Sequence, residues 1–160
     1  MNRIKLFFFV IFVQIFILNN IQLHGYINPY YYIIFLLTIP VKENKSFILL
    51  KSFLLGCIID VFSNTHGLHA FACVLTGYIK VFIDNSKNSE ELLVITQLTM
   101  ERFIFLSSTL IFMHHFTLFF LEAFSFQFES IVNTLTTTIT SGVFTLILLI
   151  IHKVFVTQKV

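Results

Sequence analysis

Hydrophobic residues fill long runs of this chain, and short polar stretches separate one run from the next. Six runs are long enough to be considered as membrane-spanning helices, and they cover residues 4–21, 29–41, 47–62, 68–83, 103–121 and 131–151. The run at 29–41 is the weakest, because a helix of that length rises about 20 Å against a hydrocarbon core of roughly 30 Å. The polar stretches leave no room for a second folded domain. The pattern therefore predicts one all-α integral membrane domain over residues 1–160, with six transmembrane helices.

The composition supports a membrane protein and argues against other classes. Hydrophobic residues make up 57% of the chain and charged residues 11%, and there are 22 phenylalanines. A soluble domain has about a quarter of its residues charged, so a water-soluble globule would have too little polar surface to cover this apolar content. The formal net charge of +2 is small and scattered, which argues against a nucleic-acid-binding surface.

The ten basic residues test the helix count independently, because Lys and Arg collect in short cytoplasmic loops. If both termini are cytoplasmic, all ten fall on the inner side, with one of them reaching it from the first turns of its helix. This inner set is Arg3, Lys5, Lys42, Lys45, Lys51, Lys80, Lys87, Arg102, Lys153 and Lys159. We therefore predict cytoplasmic termini. We also expect the first run to remain as an uncleaved helix, since no small-residue cleavage site follows it.

Small and polar residues recur on one face of the third run and on one face of the fourth. Such residues let two membrane helices approach closely and hydrogen-bond across the contact. Only residues 63–67 connect the two runs, so we predict an antiparallel hairpin. The stripes would either pack the hairpin or bind a partner, and with the turn they comprise Ser52, Gly56, Asp60, Gly67, His69, Ala70, Cys73 and Gly77.

The stretch "GCIIDVFSNTHGLHA", residues 56–70, places Asp60 at the end of an apolar helix. A carboxylate in a membrane is costly unless it faces a partner or a watery cavity. One interpretation is that Asp60 braces the turn by accepting hydrogen bonds from backbone N–H groups. The other is that it contacts a ligand, an ion or another protein.

Further polar residues lie within the fifth and sixth runs, where His114, Asn133 and Thr137 are candidates for a polar interior. Most hydroxyls of the sixth run are expected to bond back to their own helix carbonyls. Neighbouring His114 and His115 point about 100° apart on a helix, which argues against a shared metal site. The tyrosines at positions 26 and 30–32 suit a lipid interface. No catalytic motif is present, so we expect neither an enzyme nor a bound metal or cofactor.

Three stretches, in order, resemble the MreD family of rod shape-determining membrane proteins: "ILNNIQLHGYINPYYYIIFLLTIP", "FLLGCIIDVFSNTHGLHA" and "HHFTLFFLEAFSF". The resemblance extends over essentially the whole chain, and residues 56–70 are its most specific part. One departure is His66, where members of the family often have proline, and this affects the rigidity of the turn.

The resemblance implies a noncatalytic scaffold in the bacterial cytoplasmic (inner) membrane that helps to maintain rod shape. Such a protein binds an MreC-like partner and, through it, MreB, RodA and a class B penicillin-binding protein, which positions peptidoglycan synthases. It also implies a six-helix fold similar to the S-component of energy-coupling-factor transporters. The alternative function is therefore a small-molecule-binding transporter subunit, with an outward pocket lined by Asp60, His69, His114 and Asn133.

Overall fold

Each of the six apolar runs contains a helix in the computed structural model, which describes residues 3–21, 27–40, 43–85, 98–126 and 131–157. Within these ranges there is no strand, so the predicted all-α class is confirmed. A 3₁₀ turn, Leu18–Asn20, follows the first helix. The helices are α1 (Arg3–Phe16), α2 (Ile33–Thr38), α3 (Lys45–Ser63), α4 (Leu68–Asn85), α5 (Met100–Phe126) and α6 (Ile131–Thr157).

The hairpin of α3 and α4 is packed extensively, and two glycines permit the close approach. A carbon added at Gly56 would lie 2.4 Å from the Cα atom of Ala70, and one added at Gly77 would lie 2.3 Å from Ser52 Oγ. Ser52 turns its hydroxyl back to the carbonyl of Ile48 at 2.8 Å, which satisfies that polar group inside the contact. The two small-residue stripes therefore face each other within this chain.

Helix α2 is short and lies in the interior, in contact with α1, α4 and α5. Its residues Ile33 to Leu37 are all buried, as expected for a helix that is apolar on every side. Among the described residues of the predicted run, 29–40, those at 33–38 are helical, and residues 28–32 approach α2 with a largely non-helical backbone. We call residues 28–32 the tyrosine segment.

Helices α5 and α6 are the longest, at 27 residues each, which corresponds to about 40 Å. Lys153 near the end of α6 donates a hydrogen bond to the carbonyl of Leu98, just before α5 begins. The ammonium of Lys153 also lies 4.8 Å from the centre of the Phe103 ring. These contacts tie the end of α6 to the start of α5, so the two helices run antiparallel.

Four helical stretches are long and apolar enough to cross a membrane: Arg3–Asn20, Lys45–Ser63, Met100–Phe124 and Ile131–Val156. The apolar part of α4, Leu68–Ile83, is shorter. Large hydrophobic side chains are exposed along all of the long helices. On α5 the exposed or half-buried rings of Phe112, Phe116, Phe120 and Phe124 stack in a row, with centroids 5.8–6.4 Å apart. This surface is suited to lipid and not to water.

The close approach at Gly56 predicts a large effect of substitution there. Gly56→Leu is expected to lower the unfolding free energy by about 3 kcal/mol, because the added atoms meet the α4 backbone, which cannot rotate away. Thermal unfolding followed by circular dichroism in detergent micelles measures the change. Gly142→Ala is the control, since its added carbon meets one side-chain atom, Cγ2 of Ile111 at 3.3 Å, and no backbone of a neighbouring helix. Unfolding of Gly56→Leu at the parental temperature would contradict the packed hairpin.

Candidate functional site

Asp60 joins the end of α3 to the start of α4. Its Oδ1 atom accepts hydrogen bonds from the hydroxyl of Thr65 at 2.6 Å and from the amide of His69 at 2.9 Å. Its Oδ2 atom accepts one from the amide of Ala70 at 2.8 Å. The first amides of a helix have no partner within that helix, and a carboxylate placed there also suits the helix dipole. Asp60 therefore caps α4 from the neighbouring helix, and we call these contacts the Asp60 clamp.

The turn inside the clamp contains three residues with left-handed backbone. Asn64 has a φ of 56°, His66 one of 53° and Gly67 one of 97°. Glycine adopts this conformation without steric cost, and Asn is among the residues that tolerate it best. Proline is fixed near −65°, so a proline at His66 could not form this turn. His66 is therefore compatible with a left-handed turn that a proline at this position could not form.

A buried tyrosine hydroxyl connects two helices at the centre of the bundle. Tyr32 Oη lies 2.7 Å from Nδ1 of His69 on α4 and 3.0 Å from Nε2 of His114 on α5. Cys73 Sγ is 3.8 Å from the same His114 nitrogen, whereas His114 Nδ1 is buried without a hydrogen-bond partner in the described structure. An unpartnered buried acceptor is tolerated better than an unpartnered N–H. We therefore assign the proton of His114 to Nε2, which donates to Tyr32, and Tyr32 donates to His69.

The side chain of His115 points away from that of His114 and hydrogen-bonds to Thr145 on α6. Its Nδ1 lies 2.9 Å from the carbonyl oxygen of Ile111, which can only accept, so Nδ1 carries the proton. Its Nε2 then accepts from the hydroxyl of Thr145 at 3.0 Å, and that hydroxyl accepts from the amide of Tyr30 at 2.9 Å. Both neighbouring histidines are fully buried because each faces a separate partner.

The non-helical backbone of the tyrosine segment is held by side chains of α1 and α6. Gln14 accepts from the amide of Tyr31 at 2.9 Å and donates to the carbonyl of Pro29 at 3.0 Å. Ser141 accepts from the amide of Asn28 at 3.1 Å. Within an apolar bundle such groups must find partners in the protein. Gln14, Ser141 and Thr145 supply them, so these residues position the rings of the segment.

The tyrosine rings lie inside the bundle and not at a lipid interface. Tyr30, Tyr31 and Tyr32 are all buried, and the centroid of the Tyr30 ring is 5.2 Å from that of His69 and 5.0 Å from that of His115. The interface position expected for them is therefore wrong, because the amphipathic ring finds its polar partner among interior histidines. Tyr26 lies outside the described residues.

A polar cavity of about 390 Å³ opens at the end of the bundle where α1 and α3 finish and α4 begins. His69 lines it, whereas Asp60, His114 and Asn133 are not among its lining residues. The expected four-residue pocket is therefore not assembled. Amide, hydroxyl, imidazole and carboxylate groups line the cavity, and the polar lining comprises Gln14, Asn19, Asn20, Asn28, Tyr30, Ser63, Thr65, His69 and Glu122.

Some of the candidate residues proposed from the sequence lie in the interior of the structure, and others lie on its surface. Of the eight candidate residues in the hairpin stripes and their turn, seven are buried and Gly67 is exposed. On α6 the side chain of Asn133 is exposed and that of Thr137 is half-buried, so they do not form the inward face. That face is displaced by one residue, or about 100°, and carries Thr134, Thr138, Ser141 and Thr145.

Other hydroxyl and thiol groups of the helices show no sign of a binding site among the described residues. Thr136, Thr138 and Thr140 bond back to carbonyls of their own helix at 2.7–2.8 Å, as expected for hydroxyls of α6, whereas Ser141 and Thr145 bond to the tyrosine segment. Cys57 and Cys73 are free thiols. Among the side chains that the structure describes, no three of His, Cys, Asp and Glu converge as a metal-binding set.

Comparison with known proteins does not assign a family: no protein-family model, curated protein or solved structure matches this chain. The function of the site is therefore inferred from its own residues and their contacts. The Asp60 clamp and the hydrogen bonds of Tyr32 to His69 and His114, which we call the Tyr32 bridge, fix the relative positions of α2, α3, α4 and α5. The sequence did not reveal the interior roles of Tyr30, Tyr32 and His115. The available signal was the Asn-Pro pair at residues 28 and 29, which interrupts a helix just before the tyrosines.

The Tyr32 bridge predicts that removal of one oxygen atom destabilises the fold. Tyr32→Phe leaves two buried imidazoles without their shared partner, which is expected to cost about 2 kcal/mol of unfolding free energy. Tyr78→Phe removes a hydroxyl from an exposed side chain and is the matched control, with no measurable change expected. Thermal unfolding in detergent compares the two. Equal unfolding temperatures for both variants would show that the bridge contributes nothing.

Proposed function

We propose that this chain is a noncatalytic scaffold of the cell-wall elongation machinery, which maintains rod shape from the bacterial inner membrane. It binds an MreC-like protein and, through that partner, positions MreB, RodA and a class B penicillin-binding protein. In this proposal the chain crosses the membrane six times with both termini in the cytoplasm. The short α2 and α4 then cross as interior or tilted elements, supported by the longer helices around them.

The observation that carries this proposal is the role of the stretch on which the family resemblance is most specific. Gly56 admits the backbone of Ala70, and Asp60 caps α4 through the amides of His69 and Ala70. The characteristic residues of that stretch thus serve to fix one helix against another. Fixing helices relative to each other is the requirement of a scaffold, whose partner must meet a defined surface.

The outer surface of the bundle supports recognition within the bilayer. Several polar side chains of the interior are hydrogen-bonded to one another or to backbone, as Gln14, Asp60 and Tyr32 illustrate. The exterior carries large apolar side chains, including the row of stacked phenylalanines on α5. A transmembrane helix of an MreC-like partner would pack on such a surface through shape and van der Waals contact.

A second candidate function, the substrate-binding subunit of a transporter, is favoured by the polar cavity. Its volume of about 390 Å³ falls in the range of small-molecule sites, which is roughly 300–1,000 Å³. His69 links the cavity to the interior because its ring also bonds to Tyr32. The lining is more polar than is usual for such sites, so a ligand rich in hydroxyl or amine groups would fit best.

The scaffold proposal predicts which proteins co-purify with this chain. A C-terminally tagged chain, lightly crosslinked in gently solubilised membranes, is expected to retain an MreC-like protein together with wall-elongation synthases, identified by mass spectrometry. Retention of paired ATPases with a coupling membrane subunit would support the transporter function and contradict the scaffold. Retention of neither set would contradict both proposals.

Asp60→Ala tests whether the clamp matters for this assembly. The variant loses three hydrogen bonds at the hairpin and is expected to retain several-fold less of the MreC-like partner. Thr136→Ala, which removes an exposed hydroxyl bonded to the Val132 carbonyl, is the control and is expected to retain it fully. Equal recovery by both variants would mean that the partner does not depend on the hairpin.

A further inference from the structure

A groove of about 230 Å³ lies at the end of the bundle where α1 and α3 begin. Its walls are apolar side chains from α1, the region of α2 and α3, and its mouth carries Arg3 and Lys51. The apolar walls comprise Ile4, Phe7, Phe35, Ile39 and Leu54. We call this the basic groove. It is separate from the polar cavity, with which it shares no lining residue.

The two cations at the mouth share one carboxylate. Arg3 Nη1 lies 3.9 Å from Oε2 of Glu43, and Lys51 donates a hydrogen bond to Oε1 of the same group. This arrangement holds both side chains beside the groove and leaves one positive charge in excess. The side chains of Arg3 and Lys51 are 56% and 35% exposed, so donors of both remain accessible from outside.

The two helices that begin at this end add to the positive potential. The first turns of α1 and α3 contain no acidic residue, so the positive ends of their dipoles add to the potential at this end, part of which is offset by Glu43 next to the Asn44 N-cap of α3. In the predicted topology this end faces the cytoplasm, where the surface of the bilayer is rich in anionic lipid headgroups. Basic pockets between membrane helices on that side bind such headgroups.

We propose that the basic groove binds an anionic phospholipid. The headgroup phosphate contacts Arg3 and Lys51, and one acyl chain lies along Ile4, Phe7 and Leu54. The size of the groove favours this occupant, since a protein helix is about 10 Å across and needs more room, whereas an extended hydrocarbon chain is slender. This inference goes beyond the scaffold function and stands whether or not the chain binds an MreC-like partner.

Lipid retention on the purified full chain tests the proposal. The delipidated protein is mixed with equal amounts of phosphatidylglycerol and phosphatidylcholine that carry the same acyl chains, and native mass spectrometry measures the ratio of the bound lipids. Phosphatidylglycerol is expected to be preferred. Arg3→Gln and Lys51→Gln are each expected to reduce that preference about fivefold, as is typical of one basic side chain near anionic lipid.

Two further variants separate a site from general surface charge. Glu43→Gln removes the competing carboxylate and is expected to raise the preference, whereas Leu54→Trp fills the groove without changing charge and is expected to lower the amount of bound lipid. Lys45→Gln is the matched control, since Lys45 begins α3 at the same end and does not line the groove. Circular dichroism confirms that each variant is folded.

An equal loss of preference in Lys45→Gln and Lys51→Gln would overturn the proposal, because it would reflect overall charge. An unchanged ratio in both Arg3→Gln and Lys51→Gln would overturn it as well. Leu54→Trp that retains as much lipid as the parent would exclude the groove as the place where the acyl chain lies.

Discussion

Backbone amides and carbonyls that leave the helical hydrogen-bonding ladder must find partners inside this apolar bundle, and the rest of the structure depends on how they do so. The ladder is interrupted inside the bundle at the tyrosine segment and again at the start of α4. Gln14, Ser141 and Thr145 satisfy the first interruption, and Asp60 satisfies the second. The helices that carry these side chains are therefore fixed by hydrogen bonds of defined direction as well as by apolar packing.

This arrangement explains why a chain so rich in hydrophobic residues retains histidines, tyrosines and an aspartate in its interior. Their hydrogen bonds select one packing of helices whose apolar surfaces would fit together in several ways, which is the role that interhelical hydrogen bonds have in membranes. A defined outer surface follows from a defined interior. That link connects the Asp60 clamp to the proposed scaffold function, because a partner helix recognises shape.

The sequence predicted the hairpin of α3 and α4 well, because its residues recur at helical spacing and its turn is short. The inward face of α6 was misjudged, since hydroxyl or amide groups occur at almost every position from 133 to 141 and mark no single face. The tyrosine segment was misplaced for a different reason. A tyrosine ring suits a lipid interface and a buried polar partner equally well, and the partners, His69 and His114, lie far away in sequence.

The most direct test of the central claim is amide hydrogen exchange of the protein in lipid nanodiscs. First-turn amides of a helix ordinarily exchange quickly, because they lack a partner within the helix. The Asp60 clamp predicts that the amides of His69 and Ala70 exchange as slowly as those in the middle of α4, and that Asp60→Ala makes both of them fast. Fast exchange of both amides in the parent protein would contradict the claim that the clamp holds α4 in place.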